Sequence, residues 1–208
     1  MNTHLEHLRY DWYKRSQDYI HRGYAPQKAI LSRAWEEHRG AVPAAPRPRI
    51  LELACGGGSL AEAFPGEDYI GVDASAERVE AARRDHPRHA FEVCDVNSPA
   101  FDALLARSDF VFCHGLLHHI DDRDCGALLS RLSRHAPKPA TFVAIEPLLP
   151  KLWRNPLGYA VGMLDEGHFF RTSEGYRSLY KDMPVAVERF SLFPRLPLEM
   201  EAFTVRFD

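Results

Sequence analysis

Between Arg49 and Ile145 short apolar runs recur, each followed by a stretch of helical texture, and that alternation leaves few folds open. Ile50 to Leu53, Tyr69 to Val72, Phe91 to Cys94, Asp109 to Cys113 and Thr141 to Ile145 each read as a short strand. Helix signals lie between them. Leu60, Ala61 and Phe64 suggest a short helix, Ser75 caps Ala76 to Arg84 ahead of Asp85-His86-Pro87, and Asp121 or Asp122 caps a face of Ala127, Leu128 and Leu132. Strands that are apolar throughout are buried on both faces, and each parallel crossover needs a helix. The pattern therefore predicts an α/β fold with a doubly wound parallel sheet. The tail differs: Val185 to Phe190 and Glu199 to Phe207 read as strands with no helix between them, which predicts a terminal antiparallel hairpin.

Ahead of the alternation, Leu5, Leu8, Trp12, Arg15 and Tyr19 recur at helical spacing, and a second helix is expected from Pro26 through Ile30, Leu31, Ala34 and Trp35 to Gly40. Pro43, Pro46 and Pro48 then deny helix and ladder alike. The expected organisation is a helical cap over 1–40, a Pro-rich linker over 41–48 and one domain over 49–208, with 151–180 as a substrate-side insert. A chain of 208 residues buries roughly 70% of its unfolded surface, so it needs no disulfide or metal to hold a core. The four cysteines, Cys55, Cys94, Cys113 and Cys125, form no C-x-x-C pair and read as reduced structural thiols, with no metal site expected. A net charge of -3 gives no general drive toward nucleic acid or anionic lipid, although it leaves room for a local basic patch. No apolar run is long enough to span a bilayer, and the first residues lack a signal-peptide core, so a cytoplasmic location is expected.

In an open parallel sheet, ligands bind beyond the carboxyl ends of the strands. The first strand there meets Gly56-Gly57-Gly58, which allows a tight turn and a close approach of backbone to ligand. The second ends at Asp73, where a carboxylate can accept hydrogen bonds from both hydroxyls of a ribose and would repel a 2′-phosphate. The third ends at Asp95, an acceptor suited to an exocyclic amine. Each acid alone is more commonly a cap or turn residue. Gly56-Gly57-Gly58-Ser59-Leu60-Ala61 also satisfies G-x-G-x-x-A, which keeps a nicotinamide-dinucleotide oxidoreductase open as an alternative. Glu52 just upstream and the acid after the third strand weigh against it, since a pyrophosphate gains nothing from nearby carboxylates.

Taken together, Ile50-Leu51-Glu52-Leu53-Ala54-Cys55-Gly56-Gly57-Gly58, Ile70-Gly71-Val72-Asp73, Cys94-Asp95-Val96 and Phe112-Cys113-His114-Gly115-Leu116-Leu117-His118-His119-Ile120 resemble the class I S-adenosylmethionine-dependent methyltransferases. The resemblance covers roughly residues 49–146 in the family's order and spacing. It implies a Rossmann-like, mostly parallel seven-stranded sheet with one late strand inserted antiparallel, and S-adenosylmethionine as cofactor. By the same resemblance Gly56 and Gly58 pack beside the methionine part, with Ala54 and Cys55 in the same loop. Asp73 and Ala74 lie at the ribose, Asp95 and Val96 at the adenine, and Glu52 and the backbone near His114 serve the amino-acid end. Ala54 stands where many members carry glycine, and Phe112-Cys113-His114 lacks a common Asn or Ser.

Methyl transfer from a sulfonium asks the protein for positioning, exclusion of water and, with a hydroxyl acceptor, removal of a proton. Histidine, with an ordinary pKa of about 6.5, can take that proton near neutrality. His119 is the preferred base and His118 the second candidate; the plainer reading is that the pair packs and sets its loop. In the insert, His168, Arg171 and Tyr176 are candidates for substrate contact, with Tyr13 from the N-terminal helix, while Arg171 pairing with Asp165 is the structural alternative. The expected activity is methylation of a small molecule, at the oxygen of a sugar or natural-product hydroxyl, with neither nucleic acid nor membrane as partner and a homodimer left open. A noncatalytic cofactor-binding scaffold remains the other alternative. Arg78, Arg83, Arg84 and Arg88 read as solvated charges rather than a nucleic-acid stripe.

Overall fold

The computed structural model describes residues 24–42, 49–164, 167–180, 182–192, 194 and 197–208. The expected first helix, from Leu5 to Tyr19, and the prolines of the linker lie outside them. Seven strands form one sheet: β1 (Arg49–Leu53), β2 (Asp68–Asp73), β3 (Ala90–Val93), β4 (Phe110–His114), β5 (Ala140–Pro147), β6 (Val185–Ser191) and β7 (Glu199–Phe207). Their order is β3-β2-β1-β4-β5-β7-β6. The first five pair in parallel, and β7 enters antiparallel between β5 and β6, as expected of a mostly parallel seven-stranded sheet with a late hairpin. Strand order reverses beside β1, between β2 and β4, so the crevice of such a fold opens above the glycine turn.

Among the described residues six helices flank the sheet: α1 (Ala25–Ala41), α2 (Ala76–Asp85), α3 (Ala100–Leu105), α4 (Asp122–His135), α5 (Pro156–Leu164) and α6 (Ser173–Leu179), together with 3-10 turns at Ala61–Ala63 and Leu117–His119 that complete the crossovers. The caps follow the sequence. Ser75 Oγ accepts from Arg78 N at the start of α2, Asp121 accepts from Asp124 N before α4, and Thr172 accepts from Gly175 N before α6. The short helix expected through Phe64 is only the 3-10 turn, while α3 and α5 were not anticipated.

Two cores lie on opposite faces. One gathers Leu51, Leu53, Phe101, Leu128, Phe142, Tyr176 and Phe203. The other gathers Ile50, Phe64, Tyr69, Phe110 and Ile145 with Ile30, Leu31 and Trp35 of α1. Full burial of a large apolar side chain contributes roughly 1.5–3 kcal/mol. Helix α1 thus contributes a layer to the sheet's own core.

Candidate active site

Ala54, Gly56 and Gly58 all take left-handed backbone, at φ 52°, 52° and 76°, so the chain leaves β1 in a tight reversal. Cys55 N donates to Val72 O and Gly58 N to Cys55 O, both at 2.9 Å. Gly58 has no room for a side chain, since an added Cβ would stand 2.8 Å from Phe91 Cζ. Ala54 occupies the same unfavourable region with a Cβ, at a cost of roughly 1–2 kcal/mol.

Asp73 holds this turn from below. Its Oδ2 accepts from Gly56 N and its Oδ1 from Ser75 N, each at 2.9 Å, and the residue is buried. A carboxylate offers about four acceptor positions, so two remain for hydroxyl donors above it. Ala74 lies between these contacts in sequence. Asp95, exposed beyond β3, turns back to accept from Asn97 N at 2.8 Å, with Val96 half-buried beside it.

Glu52 is buried on the same end of β1, bonded by the Tyr69 hydroxyl. Gly71 makes that bond attainable: a Cβ there would meet Phe91 at 2.7 Å and the Tyr69 hydroxyl at 2.8 Å. Burial pushes the Glu52 carboxyl up to about 8; the Tyr69 hydrogen bond opposes the rise and neighbouring Asp73 adds to it. Cys55 lies in the same field, and burial first, then Glu52 and Asp73, holds its thiol protonated.

His114, at the end of β4, is contacted from α1: the Tyr24 ring stands edge-on with centroids 5.4 Å apart, and Gln27 Nε2 lies 3.5 Å from His114 Nε2. Gly115 then reverses at φ 66°. The following turn is organised by Glu146, a buried acid at the end of β5 that the sequence reading passed over. Glu146 Oε1 accepts from Leu116 N at 2.9 Å and Leu117 N at 2.8 Å, and Oε2 from His118 N at 3.3 Å. Oε2 also lies 2.9 Å from His118 Nδ1, so Nδ1 carries the proton and Nε2 is the basic nitrogen of the ring. His118 is buried and packs its ring 4.2 Å from that of His119, which is exposed, and 4.8 Å from that of Phe170. The only signal for Glu146 in the sequence is an acid inside an otherwise apolar strand, where a charge demands partners.

Two expected substrate contacts are displaced. Arg171 is buried to 9% exposure, and its guanidinium bonds Asp122 Oδ1 together with the carbonyls of Leu117, Phe169 and Ile120. It braces the histidine turn instead of reaching an acceptor, and its acidic partner is Asp122; Asp165 lies outside the described residues. Tyr176 is 0% exposed, its ring 5.4 Å from Phe203 in the core below the sheet. A side chain sealed in that core cannot touch substrate. His168 is exposed on the loop before Arg171, and Tyr13 lies outside the described residues. No group of metal-ligating side chains occurs among the described residues.

Glu52, Asp73, Asp95 and Glu146 thus stand at or just beyond the carboxyl ends of β1, β2, β3 and β5. Asp73 and Asp95 keep acceptor positions for hydroxyl and amine donors and disfavour a pyrophosphate, while the Glu146 oxygens are taken up by the histidine turn. These acceptors fit the ribose hydroxyls and the exocyclic amine of a nucleoside.

A methyltransferase-domain family model matches residues 50–138. Over 129 residues the chain is 28% identical to a trans-aconitate 2-methyltransferase of Azoarcus sp. (strain BH72), covering 60% of this chain and 48% of that protein. Over 170 residues it is 28% identical to a ubiquinone biosynthesis O-methyltransferase of Xanthomonas campestris pv. campestris (strain B100), covering 76% of this chain and 66% of the relative. The chain therefore spans from about half to just under two thirds of the length of these curated relatives. The structure of the plantazolicin methyltransferase BpumL in complex with SAH superposes with a TM-score of 0.68 at 16% identity, covering 95% of this chain and 91% of that one, a likeness of fold.

Proposed function

We propose, from the premise that residues 50–138 are a methyltransferase domain of the class I S-adenosylmethionine-dependent family, that this chain methylates a hydroxyl oxygen of a small molecule, a sugar or natural product. When bound, the cofactor supplies an electrophilic methyl group on a sulfonium. Gly56 and Gly58 line its methionine part, with Ala54 and Cys55 shaping the turn. Asp73 accepts from the ribose hydroxyls and Asp95 from the adenine amine. Glu52 and the chain at His114 serve the amino-acid end.

The contact between His118 Nδ1 and Glu146 Oε2 carries the choice of oxygen. A neutral amine attacks with its own lone pair and needs no base, whereas an alcohol gains from losing its proton as the new bond forms. The carboxylate fixes the tautomer, so that the acceptor's proton passes to Nε2 of His118, and it stabilises the resulting imidazolium. This geometry favours His118 over the more exposed His119, the first choice from sequence. The Phe170 ring against His118 and the wall formed by Tyr24 and Gln27 help exclude water from this end of the crevice.

The test combines calorimetry with turnover on a panel of hydroxyl and amine acceptors. S-adenosylhomocysteine should bind, and Asp73→Ala should weaken it at least tenfold. His118→Ala should lower kcat for a hydroxyl acceptor by roughly 10²–10⁴-fold, with affinity for that nucleoside kept. Failure to bind the nucleoside, with tight retention of a dinucleotide, sinks the proposal. Turnover only on amines, or undiminished turnover in His118→Ala, removes the oxygen assignment and leaves cofactor binding standing.

A further inference from the structure

Helix α5 sets its glycines inward. Gly158 and Gly162, one turn apart, are buried, and among its described side chains Leu157 and Met163 are each 64% exposed. Gly158 is needed where it is. A Cβ on Gly158 would stand 2.2 Å from Pro197 O, so the helix backbone lies directly on the chain before β7. Asn155 fixes this seat, accepting from Gly158 N at 2.8 Å and donating to Pro197 O at 2.6 Å. The preceding turn continues the apolar surface, with Leu152 at 55% and Trp153 at 78% exposure. A monomeric soluble protein gains nothing from presenting this set to water.

The charges around the patch decide what it meets. Between Pro147 and Leu164 there is no Asp or Glu, and the charged side chains are Lys151 and Arg154, both exposed, at the start of the segment; the next acids in sequence are Asp165 and Glu166, after its end. Lys151 Nζ lies 5.3 Å from the Trp153 ring centroid, which places cation and indole together at the edge of the patch. Tryptophan beside basic residues, with leucine and methionine beyond, is the arrangement that settles at the boundary of headgroups and acyl chains. A second copy of the chain would instead bring two like-charged edges together.

We propose that residues 151–164 dock this protein on an anionic lipid surface, with Trp153, Leu152, Leu157 and Met163 entering the boundary and Lys151 and Arg154 pairing with headgroups. Membrane contact was not expected from whole-chain charge, which averages out a local cluster. The surface also borders the candidate site. An added Cβ on Gly162 would lie 3.8 Å from the Phe170 ring, and Phe170 packs on His118. Docking therefore sets the mouth of the crevice against the lipid. The inference does not depend on the methyl-transfer reading, and its test requires no turnover.

Co-sedimentation of the full chain with vesicles of phosphatidylcholine and phosphatidylglycerol (about 3:1), and with phosphatidylcholine alone, reads it directly. Binding to the mixed vesicles should exceed binding to the neutral ones. Lys151→Glu with Arg154→Glu should abolish that preference, since each basic residue near such a surface is worth roughly fivefold in partitioning. Trp153→Ala with Leu157→Ser should lower binding to both vesicle types at least tenfold. All four side chains are exposed, so far-UV circular dichroism and the thermal melting curve should be unchanged and any loss cannot be put down to unfolding. No binding to either vesicle, or equal binding that ignores the charge reversals, overturns the proposal. So does a dimer at sedimentation equilibrium that Leu157→Glu with Met163→Glu dissociates, since the patch would then belong to a second copy.

Discussion

Glu146 Oε2 lies 2.9 Å from His118 Nδ1, so the carboxyl end of β5 fixes a ring that follows β4. The same carboxylate also accepts three consecutive backbone N–H groups, from Leu116, Leu117 and His118. One side chain thus sets both the path of the turn and the orientation of the ring. The two roles separate by substitution.

Glu146→Gln keeps the shape and removes the charge. One amide oxygen can still accept from the turn, but the amide nitrogen faces donors, which should cost about 1–3 kcal/mol in urea denaturation. Turnover on a hydroxyl acceptor should fall roughly 10²-fold with little change in its KM, because the imidazolium loses its counter-charge. Equal losses on hydroxyl and amine acceptors would point to the backbone role alone.

Glu52 makes stability depend on pH. Burial raises its carboxyl from the ordinary 4.5 to about 8, so the folded state holds a proton that the unfolded chain releases. The stabilisation it gives is complete below about pH 4.5 and is lost as pH rises through 8. With each unit worth about 1.4 kcal/mol, the whole effect amounts to a few kcal/mol. Urea midpoints between pH 5.5 and 8.5 should fall in the wild type and flatten in Glu52→Gln. Parallel slopes would place the protonation elsewhere.

Ala54→Gly should stabilise the chain. Residue 54 sits at φ 52°, where alanine pays a steric cost that glycine does not. Glycine's greater freedom in the unfolded chain takes back part of the gain. A net rise of about 0.5–1 kcal/mol is expected, with binding of S-adenosylhomocysteine unchanged or tighter. A fall in stability would show that the Cβ packs usefully.

Arg171→Lys tests a brace. The guanidinium reaches Asp122 and three carbonyls at once, which a single ammonium cannot do. Asp122 is largely exposed, so the ion pair itself contributes little and most of the loss comes from the carbonyl bonds, about 2–3 kcal/mol together. Thermal denaturation should show it. A normal melting curve with a raised acceptor KM would return Arg171 to the substrate.

The alternation of strand and helix was legible because β1, β4 and β5 are buried along almost their whole length, so most residues in them are apolar and an exception such as Glu52 or Glu146 has a specific partner. The glycine turn and Asp73 were legible for a different reason: backbone reversal and carboxylate capping leave few residue choices. What stayed hidden depended on contacts far apart in sequence. Glu146 lay one residue past the expected end of its strand, and Arg171 found Asp122, which no local pattern announces. Helix α5 carries Pro156, Gly158 and Gly162, residue types of low helix propensity that here serve as its start and its packing face.

The position of β7 sets an order on synthesis. All eight residues of β5 are buried, and one whole flank of that strand is covered by β7, the last strand made. Until residue 207 has left the ribosome, a long apolar edge with open amide and carbonyl groups stays unpaired. The nascent chain is therefore most exposed to mispairing at the moment when five of its seven strands already stand.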